Sequence, residues 1–187
     1  MATVPSSSST LPSIDELDTL SVDAFSAAVA PLFEGAPRFV ARLADARPFG
    51  VAEVLFERAL AIALAMPEDA QVELLEAHPR LGAPTASVSA LSFVEQSYDR
   101  EAADEAAEAE RVRVAVELER LNDAYETRCG FRYCVFVAGR PHAALLPGFR
   151  AALAADRGEE LRRGLMDVVA IAHDRYRRLA GQVEASS

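Results

Sequence analysis

Residues 159–182 read EELRRGLMDVVAIAHDRYRRLAGQ, and Leu161, Leu165, Val168, Ala172, Tyr176 and Leu179 recur in them every three or four positions. That period puts all six on one face of an α-helix, with arginines and acids on the rest. A helix striped in this way buries its apolar face against other helices, which the rest of the chain must supply.

The same spacing recurs between Asp99 and Arg128, where Val114, Leu118, Leu121 and Tyr125 interrupt dense charge, and Gly130 offers a C-terminal stop. Ser13-Ile14-Asp15-Glu16 has the form of a capping box, and Ser21 opens a second start followed by Val22, Phe25, Val29 and Leu32. Pro37 suits the first turn of a third helix, which Arg47-Pro48-Phe49-Gly50 closes. An apolar helix then carries Val51, Leu55, Ile62 and Met66, and Pro67 opens another through Leu74 and Leu75. That one must stop at His78, because Pro79 disfavours helical dihedrals in the residue before it.

Phe131 to Ala138 alone resembles a strand, but with no evident partner it is expected to be extended without forming a sheet. The expected fold is all-α, a single-domain bundle of roughly seven to nine helices with one short extended segment. The domain spans residues 14–182, between flexible tails at 1–13 and 183–187.

The 187 residues fit one domain, which at this size buries roughly 70% of the surface its unfolded chain exposes. A net charge of -10 is the wrong sign for a protein that binds phosphate backbones, so nucleic acid is not an expected partner. No apolar run approaches the roughly 20 residues that span a bilayer, so no membrane is expected either. Met1 to Ser13 lacks the basic and apolar regions of a secretory signal, and Cys129 and Cys134 alone make no disulfide scaffold. A reducing cytoplasm is the expected setting.

Three segments place chemistry-bearing side chains where the pattern expects a helix end or a core: His78 to Gly82, Ser92 to Gln96, and Cys134 to Arg140. His78 suits either of two roles, an imidazolium favoured by a helix C-terminus or a general acid or base titrating near neutrality. Ser92, Glu95 and Gln96 share a helical face, either as a solvated capping box or as a set of acceptors and donors for a urea-like group. Arg140, just after an apolar run, is either a turn residue or a planar cation for a carboxylate or oxyanion. No metal-ligand spacing, nucleophile elbow or Gly-rich phosphate loop occurs, and neither His142 nor His173 has a partner at ligand spacing.

In this order and spacing the segments resemble the 2-oxo-4-hydroxy-4-carboxy-5-ureidoimidazoline (OHCU) decarboxylase family of urate degradation, from about Leu17 to Leu179. The likeness includes Phe33-Glu34-Gly35-Ala36-Pro37 with Arg47-Pro48-Phe49, and Leu121-Asn122-Asp123-Ala124-Tyr125 with Gly130-Phe131 and Gly139-Arg140. It implies an all-helical, cofactor-free carboxy-lyase that works as a homodimer on a small ureide and yields (S)-allantoin. It also implies His78, Glu95 and Arg140 as catalytic residues, with Pro79, Ser92, Glu95, Gln96 and Arg140 binding substrate. Ser97-Tyr98-Asp99-Arg100 and Cys129-Gly130-Phe131-Arg132-Tyr133 depart from the family's pattern and bear on pocket shape. The rival expectation is a non-catalytic ureide-binding protein of the same fold.

Overall fold

The computed structural model describes residues 11–83 and 105–184, which form eight helices and no strand. Helix starts follow the side chains that satisfy free N–H groups. Ser13 and Glu16 close a reciprocal capping box on α1 (Ile14–Thr19), and the Ser21 hydroxyl accepts from Ala24 N–H at 3.3 Å to open α2 (Val22–Phe33). Glu34 ends α2 in the left-handed region at φ 51°, Gly35 follows at φ 75°, and Pro37 begins α3 (Pro37–Asp45). Next come α4 (Ala52–Ala65) and α5 (Glu68–Glu76), the latter opened by Pro67.

The long α6 (Glu105–Cys129) stops at Gly130, whose φ of 75° suits a residue without a Cβ. After the extended segment comes α7 (His142–Ala152), which the sequence reading did not anticipate. Pro147 and Gly148 lie inside it, and both residue types read as helix breakers. The final helix, α8 (Arg157–Glu184), starts two residues before its expected beginning, because Asp156 accepts from the N–H groups of Gly158 and Glu159 at 2.8 and 3.0 Å.

The striped faces turn inward largely as their spacing requires. Val114, Leu118, Leu121 and Tyr125 of α6 are buried, as are Leu161, Leu165, Val168 and Ala172 of α8. Val22, placed with the α2 face by spacing, is instead exposed at the first helical turn. Helix α8 runs through the middle of the N-terminal helices and packs on α2, α4 and α5, while α6 packs on α7. Between α6 and α7, residues 131–137 run extended with no ladder. Side chains satisfy their backbone instead: Arg163 donates to Cys134 O at 2.8 Å, and the Asp167 carboxylate accepts the Phe136 N–H. This strap crosses the end of α5, and the two together build the site.

Candidate active site

Helix α5 delivers His78 just past its C-terminus, where the ring is 3% exposed. Its Nδ1 lies 3.1 Å from Leu74 O. A carbonyl can only accept, so in the neutral ring Nδ1 carries the proton and Nε2 keeps a lone pair. Nε2 is buried and has no hydrogen-bond partner among the described residues. Burial, then the charge of Arg175, pull the His78 pKa down to about 4, against the raising effects of Leu74 O and Glu34. At neutral pH the ring is therefore a buried neutral base. The positive charge at the end of α5 comes from Arg132, which donates to the carbonyls of Glu76 and His78.

A cavity of about 40 Å³ opens beside this ring, lined by His78, Pro79 and Leu81, by the strap from Tyr133 to Val137, and by Ile171 and Arg175 of α8. Tyr133 stacks on Phe149 of α7 at 3.7 Å between ring centroids, and the Arg163 guanidinium lies over the Tyr133 ring at 4.7 Å from its centroid. The Cys134 thiol donates to Leu75 O at 3.4 Å, and burial pushes its pKa up to about 12. So small a cavity meets only part of a ureide-sized ligand.

Arg175 is the side chain that the sequence reading missed. It is 1% exposed, donates from Nη1 to Pro31 O and Leu32 O at 3.0 and 3.2 Å, and pairs through Nη2 with Glu34 Oε1 at 2.9 Å. Its signal was available: Arg175 stands three residues after Ala172 and seven after Val168, a charge on a stripe that must be buried. Glu34 carries no such signal beyond its place in Phe33-Glu34-Gly35-Ala36-Pro37.

Of the expected site residues, the fold brings His78 and Pro79 to the cavity. Arg140 is exposed at the end of the strap, where its Nε and Nη2 donate to Val137 O and Phe136 O at 2.9 and 2.6 Å. It braces the backbone of two cavity residues and is not among the cavity's lining. Ser92, Glu95 and Gln96 lie outside the described residues. Among the described residues no group of three or more His, Cys, Asp or Glu side chains could hold a metal ion, and His173 stacks on Phe56 at 4.4 Å.

A family model described as OHCU decarboxylase matches residues 18–177. Among solved structures, one of OHCU decarboxylase in the presence of (S)-allantoin is 20% identical, with 80% of this chain and 94% of that chain covered at a TM-score of 0.60. One of (S)-allantoin synthase is also 20% identical, with 89% of this chain and 53% of that chain covered at a TM-score of 0.61. At such identity these two likenesses speak for the fold. Among curated proteins compared by sequence, none matches.

Proposed function

From the chain's membership of the OHCU decarboxylase family, we infer that this carboxy-lyase converts 2-oxo-4-hydroxy-4-carboxy-5-ureidoimidazoline to (S)-allantoin, with His78 as its proton handler. The observation that carries this reading is the buried Nε2 of a neutral His78, facing a cavity with its lone pair uncommitted among the described residues.

The substrate supplies its own electron sink. As the C4–carboxylate bond breaks, its electron pair forms a C4=C5 bond, and the former C=N pair moves onto the ring nitrogen. The C4 hydroxyl then gives its proton to Nε2 of His78, the resulting imidazolium delivers that proton to one face of C5, and C4 becomes a carbonyl. The ring nitrogen takes one proton from water, which balances the loss of CO2. A single fixed base thus provides general acid–base catalysis and a chosen face. His78 must begin neutral to do this, and burial keeps it so.

In this reading Pro79 limits the backbone beneath the ring, while Ser92, Glu95 and Gln96 hold the ureido arm through its N–H and C=O groups. Arg140 fixes the strap and offers charge at the rim. The assembly is a homodimer working in the cytoplasm, an expectation that rests on the family resemblance and on cysteine usage; analytical ultracentrifugation tests the dimer. The deciding experiment follows freshly generated OHCU by absorbance and circular dichroism, with and without the protein. Accelerated decay with a growing (S)-allantoin signal is expected. Decay at the protein-free rate, even with measurable binding, would leave only a ureide-binding protein.

A further inference from the structure

We propose that Arg132 is a positioning residue for His78: it fixes the peptide that joins His78 to Pro79, and Glu126 of α6 holds Arg132 to that task. The proposal takes from the decarboxylase reading only that His78 is the reacting group, and rests on geometry for the rest.

Pro79 has no N–H, so the His78 carbonyl is the one hydrogen-bonding group on the peptide between them. Arg132 donates to that carbonyl and, from the same Nη1, to Glu76 O at 2.7 Å. Both carbonyls stand at the end of α5, where the helix supplies no donors of its own. The ring is tied separately, through Nδ1 to Leu74 O. Ring and peptide are thus each held at one point, and the second point is Arg132.

Arg132 is held in turn, with its Nε 3.7 Å from Glu126 Oε1. The same carboxylate accepts from Arg80 Nε at 2.9 Å and from Arg80 Nη2, while Asp123 accepts from Arg80 Nη1 at 2.9 Å. Glu126 therefore joins two arginines, one gripping the loop before Pro79 and one placed just after it. Asn122, four positions before Glu126 and so on the same face of α6, donates to Leu81 O at 3.0 Å. That face of α6 holds the whole turn from His78 to Leu81.

Arg132 is not among the residues lining the His78 cavity, so its effect on the reaction passes through His78. That effect has two parts, aim and charge. Around the ring, Arg175 of α8 and Arg132 of the strap oppose protonation, while Leu74 O of α5 and Glu34, just past α2, favour it. Loss of Arg132 should both free the peptide and make the ring easier to protonate.

The test reads kinetics together with the titration of His78. The chain has three histidines, so in protein carrying 13C-labelled histidine the ring signal missing from His78→Asn identifies His78. In Arg132→Gln, kcat for OHCU should fall ~10-fold or more with KM within about twofold, and the His78 titration should move up from about 4. Arg132→Lys keeps the charge but not the planar fork, so kcat should fall while the titration stays in place. Glu126→Gln removes a negative charge, so kcat should fall with no upward movement. An unchanged kcat in Arg132→Gln, or a raised KM with kcat retained, would overturn the proposal. So would an equal upward movement in Arg132→Gln and Glu126→Gln, which would mean only that water had entered a loosened site. Circular dichroism checks folding, and if Arg132→Gln does not fold, Arg132→Lys decides: lowered kcat with an unmoved titration supports positioning, and wild-type kcat removes it. If the wild-type protein does not turn over OHCU, the decarboxylase reading falls by itself. The titration then still tests Arg132: movement in Arg132→Gln alone supports its hold on His78, and no movement removes it.

Discussion

The carbonyl of Leu74 has lone pairs and no proton to give, so the one hydrogen bond it receives from His78 determines which ring nitrogen is left to act. His78→Asn should stay helical by far-UV circular dichroism yet lose about 10²–10⁴-fold in turnover, and the little allantoin formed should be near racemic. Retained (S)-selectivity would move the proton elsewhere. The pH response follows with a definite sign. Burial and Arg175 depress the folded pKa to about 4, below the ordinary 6.5, so between those values the unfolded chain binds more protons than the folded one. This contribution to stability is complete above pH 6.5 and lost as pH falls toward 4, so the melting temperature should drop across that window less steeply in His78→Asn. For the same reason kcat/KM should stay level from pH 8 to below 6.5 and fall only as His78 itself titrates; an acidic limb centred at 6.5 would show a solvated ring. His78 and Pro79 were legible because a proline stop marks where a helix must end. Arg175 was not, because a stripe read only for its apolar members passes over a charge standing among them.

At the scale of elements, the extended strap from Phe131 to Val137 substitutes side chains of α8 for the neighbouring strand it lacks. Arg163 joins Glu160, Asp167 and Cys134 O at 2.8 Å each, and Glu160 also accepts from the Tyr125 hydroxyl at 2.9 Å. Burial raises the Asp167 pKa and the Tyr125 pKa alike, and the Arg163 charge opposes that rise at Asp167, so the cluster depends on the arginine to keep the Asp167 carboxylate an anion. Arg163→Met should therefore leave the buried Glu160 short of its cation, costing about 2–4 kcal/mol in urea unfolding after allowance for the arginine's partial exposure. The strap should also shift, seen as a changed environment of Tyr133 in near-UV circular dichroism; an unchanged spectrum would show that packing alone holds it. The strap was legible as extended because its residues favour that backbone, whereas its anchors, distant in sequence, were not. Caps and prolines marked α1 to α5 clearly, and the proline and glycine inside α7 concealed that helix, since tertiary packing against α6 overrides their local cost.

Across the whole molecule, the packing of α8 on α2, α4 and α5 puts the last helix at the centre of the first ones. Arg175 reaches Pro31 O across a separation of 144 positions, and α8 supplies Ile171 and Arg175 to a cavity begun by His78. That the fold is all-helical was readable from stripes; which stripes meet was not, because a stripe states that a face is buried and not against what. A ribosome makes this chain in order, so α2, α4 and α5 emerge with their apolar faces uncovered and wait for α8 to be synthesised. Helical proteins usually fold fast through local contacts, and this one defers its central contacts until α8 has been made. A nascent chain stalled after residue 155 should accordingly be cut readily by protease and bind a hydrophobic dye, and both signals should vanish once α8 has cleared the exit tunnel. During that interval, protection of the N-terminal helices falls to chaperones instead of to the protein's own core.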